Sequence, residues 1–131
     1  MPDWRWLSPR LAISVHHEQI LEHGGAYGIR DEGLLLSALS RAEQLAAYGE
    51  PDAADLAAAY AWGIARNHPF VDGNKRVALV LCETFLVING CQLEADDLAM
   101  TTAFLDLAAG TIEESELAGW LRARISRVPS T

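Results

Sequence analysis

One short stretch of the chain holds the residue types that proton and phosphate chemistry requires: His68-Pro69-Phe70-Val71-Asp72-Gly73-Asn74-Lys75-Arg76. An imidazole with its ordinary pKa near ~6.5 can take a proton from a hydroxyl at neutral pH, which makes His68 a candidate general base. Asp72 is a lone carboxylate. Joined by phosphate oxygens and waters, such a group is the usual way to hold magnesium. Asp72-Gly73-Asn74 directly precedes an apolar helical run. The first N–H groups of a helix lack internal partners and lie at the positive end of its dipole. Glycine lets an anion approach that backbone, so Gly73 and Asn74 outline a phosphate site. Lys75 and Arg76 fall in the first turn, where the dipole disfavours cations; an anion above the terminus would account for them. Phe70 is best explained as a core anchor that fixes the loop and aims His68 outward. Each residue alone has a plain structural explanation. Asp72 or Asn74 could cap a helix, His68 could sit between helices, and Lys75 and Arg76 could be solvated. Their conjunction within nine residues is what favours chemistry. The run is no P-loop, because the GxxxxGK[ST] pattern is missing.

The elements that must position this run read as helices. Ser8-Pro9 is an N-cap followed by proline at the first helical position, and Gly24-Gly25 stops that helix. Leu11, Val15 and Ile20/Leu21 recur along it at helical spacing. Residues 24–33 form a loop with four glycines. Asp31 can cap a leucine-rich helix to about Tyr48, ended by Gly49. Pro51-Asp52 opens an alanine-rich helix to about Arg66. Residues 75–88 form a strongly apolar helix closed by Asn89-Gly90. Cys91-Gln92-Leu93 is short and extended at best. Asp96 can cap a helix over Leu98 to Ala109, ended by Gly110. A last helix runs from about Ser115 to Ile125, packing through Leu117, Trp120, Leu121 and Ile125. Period-2 alternation is nearly absent, so the expected class is all-α: a compact single-domain bundle of about six helices over 1–131, core about 8–126, with a Gly-rich flap loop.

Bulk properties narrow the function classes. The chain has 131 residues, half of them apolar, enough for one core without disulfides or structural metal. Ten basic residues against 18 acidic give a net charge of −8, which argues against direct nucleic-acid binding. The balance leaves room for a partner with a basic segment. Cys82 and Cys91 have no metal spacing and read as reduced core thiols of a cytoplasmic protein. The N-terminal run MPDWRWLSPR has no continuous apolar core, so no signal peptide is expected, and no apolar stretch suits a membrane span. His16-His17 and His23 lack acidic or cysteine partners at ligand spacing and read as surface or packing residues.

The run HPFVDGNKR resembles the motif of the Fic/Doc superfamily, H-x-F-x-[DE]-[AG]-N-[GK]-R, at every specified position. Lys75 places it with the Doc (death-on-curing) branch, whose pattern is H-x-F-x-D-[AG]-N-K-R. The Gly-Gly loop with Arg30-Asp31-Glu32-Gly33, Arg66 just ahead of the histidine and the Asn89-Gly90 stop also look like Doc. Pro69 is more typical of the Fic branch. The resemblance implies a magnesium-dependent transfer from ATP to a protein hydroxyl. Most Fic members transfer AMP. Doc-type members look like kinases that phosphorylate a threonine of elongation factor Tu, stop translation, and are held inactive by a Phd-type antitoxin. By this carry-over His68 is the base, Asp72 the Mg2+ ligand, and Gly73, Asn74, Lys75 and Arg76 the phosphate cradle.

The resemblance therefore implies a toxin kinase. The alternatives are a Fic-type AMP transferase with the same residues and a non-catalytic helical binding module with a decayed motif. The intact motif speaks against the last. The 24–33 loop, with Tyr27, Ile29 and Arg30, is expected to be a mobile flap over target or nucleotide. Autoinhibited Fic proteins carry an internal [ST]-x-x-x-E-[GN] helix. Ser14-Val15-His16-His17-Glu18-Gln19 approaches it but ends in glutamine, so inhibition is expected from another chain.

Overall fold

The computed structural model describes residues 3–128. Six helices and two short strands follow one another: α1 (Pro9–His23), α2 (Glu32–Tyr48), α3 (Ala53–Asn67), α4 (Asn74–Ile88), β1 (Cys91–Leu93), α5 (Asp97–Ala109), α6 (Glu114–Arg122) and β2 (Ile125–Arg127). The caps are those the sequence encodes. The side chains of Ser8, Asp31, Asp52 and Asp96 accept backbone N–H bonds at the starts of α1, α2, α3 and α5. At α6, Glu113 and Glu116 cap reciprocally.

The alanine-rich α3 is the central rod, and α2, α4 and α6 pack around it. A helix covered on several sides needs small side chains so that its neighbours can approach. Ala57, Ala58, Ala59 and Ala61 are fully buried. At Gly63 an added Cβ would stand 3.0 Å from the Ala38 carbonyl oxygen of α2. The aromatic end of the core lies at the far end of α3 and α4 from the motif. Phe85 meets Tyr60 at 5.3 Å, Trp4 at 6.0 Å and Trp6 at 6.2 Å between ring centroids. The Tyr60 hydroxyl accepts from the Leu7 N–H at 3.1 Å, and burial pushes its pKa up to about 12. Cys82 and Cys91 are free and buried; burial raises the Cys82 thiol. No helix among the described residues is long and apolar enough to cross a membrane.

The expected last helix is too long by one turn. Helix α6 ends at Arg122, and Ile125–Arg127 becomes β2, antiparallel to β1 with Leu93 opposite Ile125 and Cys91 opposite Arg127. Ile125 does continue the Leu117–Leu121 spacing. However, the open ladder groups of Cys91–Leu93 need partners, and β2 supplies them. The fold is otherwise the expected helical bundle, with α3 and α4 antiparallel and the 68–73 loop joining them.

Candidate active site

The loop between α3 and α4 is built from its own side chains. Helix α3 is capped at its C-terminus by His68, the only non-glycine residue with positive φ among those described (φ 48°, ψ 55°). A left-handed C-cap usually falls to glycine, because Cβ meets the backbone there. Here the strained position carries the candidate base. Two residues on, Phe70 is 1% exposed and lies in the core. The Asn74 side chain closes the loop from the other side: it accepts from the Phe70 N–H and donates to the Phe70 carbonyl, both at 3.0 Å. Both ends of that amide are therefore engaged, and what Asn74 can offer a phosphate is its backbone N–H.

Gly73 takes the left-handed conformation (φ 76°) and starts α4 without any side-chain cap. The contrast with the capped helices is informative. The leading N–H groups of α4 have positive potential and no capping side chain, so Asp72 and Asn74 are not plain N-caps. Lys75 and Arg76 are exposed there and make no ion pair among the described residues. His68, Val71, Asp72, Gly73, Asn74, Lys75 and Arg76 together line a cavity of about 330 Å³. The candidate base, the candidate magnesium ligand and the four residues of the expected phosphate cradle thus open onto one hollow, and Phe70 does not line it. A larger hollow of about 600 Å³ at the opposite ends of α3 and α4 includes Asp52 and Arg122, which are paired with each other. It gathers no free base beside free cations.

Asp72 is oriented by three contacts. The Gly73 N–H donates to Oδ1 at 2.9 Å and the Ala26 N–H to Oδ2 at 3.3 Å. Its backbone carbonyl accepts from His16 Nε2 at 2.9 Å. No cluster of three metal-ligating side chains occurs among the described residues. A single carboxylate beside an uncapped helix terminus would fit magnesium only as an ion that arrives with a nucleotide.

His16 is the residue whose importance the sequence reading missed. It is a packing residue, as expected, but it packs on the motif. The ring is 3% exposed and lies flat on Phe70, with centroids 4.0 Å apart and planes 5° apart. The signal was present: Ala12, His16 and Ile20 are spaced by four and form the buried face of α1. His17 lies at the surface and meets Tyr27 at 4.5 Å. Glu18 is exposed and forms no ion pair among the described residues, so the Ser14–Gln19 run does not bring its carboxylate to Arg76.

The glycine-rich loop is tied more closely to the motif than its composition suggests. Ile29 and Phe70 form an antiparallel bridge, and the Val71 N–H donates to the Gly28 carbonyl at 3.0 Å. The Arg30 and Asp31 N–H groups both donate to the Pro69 carbonyl. The Arg30 guanidinium donates to the carbonyls of His68 (2.7 Å) and Asn67 (2.8 Å). Only the 24–27 corner is free of such a ladder. Arg66 turns instead towards Trp62 and the end of α5.

The profile of the Fic/DOC family matches residues 6–86. The chain belongs to the Fic/Doc family. It is similar to the protein named Toxin Doc of Mycolicibacterium smegmatis, 44% identical over 110 residues, which cover 76% of this chain and 83% of that relative. It is also similar to the protein named Protein kinase doc of Escherichia phage P1, 36% identical over 120 residues, 90% of this chain and 94% of that one. Both alignments are long enough to take in the cavity and the helices that frame it.

Proposed function

We propose that this Fic/Doc protein is a Doc-type toxin that transfers the terminal phosphate of ATP to a hydroxyl of a target protein. The observation that carries the reading is the uncapped N-terminus of α4, flanked by the unpaired Lys75 and Arg76, opening on the cavity that also holds His68 and Asp72. That combination suits a phosphate chain beside a base. The name of the phage P1 relative, Protein kinase doc, supports the same chemistry, and that of the mycobacterial relative supports a toxin.

In this reading His68 accepts the proton of the target hydroxyl. The hydroxyl oxygen forms a bond to the γ-phosphorus as the bond from that phosphorus to the bridging oxygen breaks, and ADP leaves. The backbone N–H groups of α4, Lys75 and the Arg76 guanidinium neutralise charge on the phosphates. Asp72 would hold Mg2+, which when bound screens the phosphate oxygens. Lys75 bears on the direction of the nucleotide. AMP-transferring relatives of the Fic branch have glycine at this position, which leaves room for the inner phosphates. A lysine adds bulk and charge there, and favours the phosphate-rich end reversed towards the target.

Threonine of elongation factor Tu is the target we propose, with loss of translation as the consequence and a Phd-type antitoxin as the inhibitor in the cytoplasm. The exposed Glu18 supports inhibition from a second chain. Incubation with ATP labelled at the γ or the α position, with elongation factor Tu as acceptor, tests the reading. Label should enter from γ only and add the mass of one phosphate. Label from α only makes the protein an AMP transferase, the second reading, which Pro69 favours. No label from either position leaves the enzyme reading without support.

A further inference from the structure

Arg30 lies on the glycine-rich loop, 38 residues from His68 in sequence, yet its side chain reaches the backbone of the candidate base. Nε donates to the His68 carbonyl at 2.7 Å and Nη2 to the Asn67 carbonyl at 2.8 Å. The Arg30 and Asp31 N–H groups add bonds to the Pro69 carbonyl at 2.7 and 3.1 Å. Three consecutive carbonyls, at 67, 68 and 69, are thus held from one side. These carbonyls belong to the end of a helix that has no next turn, and one of them belongs to a residue in the left-handed region. A non-glycine residue persists there only when its surroundings over-determine it.

We infer that Arg30 is a positioning residue for His68: its guanidinium fork holds the left-handed backbone that aims the imidazole into the cavity. Arg30 does not itself line the cavity, and at residues 67 and 68 it bonds backbone carbonyls rather than the imidazole. It acts through the dihedral angles of residue 68, from which the side chain departs. Because Arg30 sits on the loop that passes over Asp72 at Ala26, the base and the loop are mechanically joined. A target segment that moves this loop also moves His68. The inference rests on the reading of His68 as the base.

Two variants test it. Arg30→Gln removes the charged fork, and Arg30→Lys keeps the charge but offers a point donor where the fork bonds two carbonyls. Each should lower kcat, Arg30→Gln by about 10²-fold, the scale of a base misplaced by about 1 Å. KM for ATP should stay near wild type, since the phosphate cradle is untouched. In nucleotide-free protein, the amide NMR signals of Asn67, His68 and Phe70 should shift in both variants while Gly73 and Lys75 stay in place. Wild-type kcat in either folded variant, or unmoved signals at Asn67, His68 and Phe70, overturns the inference. If Arg30→Gln does not fold, Arg30→Lys carries the test alone under the same criteria. The NMR measurement contains no nucleotide, so it stands whether the enzyme transfers phosphate or AMP. If His68→Ala retains wild-type transfer, the reading of His68 as base falls separately.

Discussion

At the scale of single residues, the proposed base His68 also carries a conformational cost. The left-handed region costs a non-glycine residue about 1–2 kcal/mol. His68→Gly should therefore raise stability in thermal unfolding by about 1 kcal/mol while abolishing transfer. His68→Ala should lose transfer without that gain, by about 10²- to 10⁴-fold if the general base is gone. A glycine variant less stable than wild type would mean that the imidazole itself stabilises the cap. Asn74 shows the opposite balance. Its amide is buried and joined twice to Phe70, so Asn74→Ala leaves two backbone groups of Phe70 without partners. The expected loss is about 1–3 kcal/mol in denaturant unfolding. A change below about 0.5 kcal/mol would show that water replaces the amide readily.

At the scale of elements, the site depends on how closely helices and loop approach. Gly63 lies where α3 crosses α2, with the Ala38 backbone 3.0–3.1 Å from a notional Cβ. Gly63→Ala should cost about 1–3 kcal/mol, because the clash is with backbone of a packed helix. Thermal unfolding checks this, and a neutral result would mean that the crossing can slide. Gly25 faces the site in a comparable way: a Cβ there would stand 2.7 Å from Asp72 Oδ2, and its φ of 117° is a further obstacle. Gly25→Ala should lift the 24–27 corner off Asp72. Hydrogen exchange at the Ala26 amide should then quicken, while Arg30 and Asp31, bonded to Pro69, keep their protection. Equal quickening along the whole loop would mean that it moves as one flap, the behaviour its glycine content suggests.

At the scale of the molecule, the first turn of α3 and the last turn of α6 are tied together at the far end of the bundle. The Arg122 guanidinium donates to Asp52 at 2.7 Å and to Asp55 at 2.7 Å, and the bond from Arg122 lowers the Asp52 carboxyl from 3.8 to about 2. A carboxyl depressed in the folded state stabilises it above the unfolded pKa and loses that contribution as pH falls from about 4 towards 2. Half of each side chain is exposed, so screening keeps the contribution below about 1 kcal/mol. Urea midpoints should show Asp52→Asn less stable than wild type at pH 7, with the gap closing below pH ~3. A gap that persists at that pH would assign the effect to neutral capping. The acidic charge of −8 also bears on partners: an inhibiting segment that covers Lys75 and Arg76 must bring negative groups there, although most of the surface favours positive ones. Expressed without a partner chain, the protein should arrest growth of a sensitive host, and unimpaired growth at confirmed expression would count against a toxin.

The sequence by itself determined the helices and the hollow they frame. Caps, glycine stops and 3.6-residue spacing are local devices, and each acts within a turn or two of its own position. The motif was legible for the same reason: His68, Asp72, Gly73, Lys75 and Arg76 lie on one loop and the helix turn that follows it, so their nearness in space follows from their nearness in sequence. What tertiary structure decided involves partners far apart along the chain. The ring of His16 meets Phe70 only because α1 packs on α4, and Arg30 reaches His68 only because the glycine-rich loop runs back along the α3 end. The double role of Asn74 and the left-handed turn at His68 depend on loop closure, which residue types alone do not specify. Ile125 left its helix for the same reason, since the unpaired edge of Cys91–Leu93 outweighed a local helical preference.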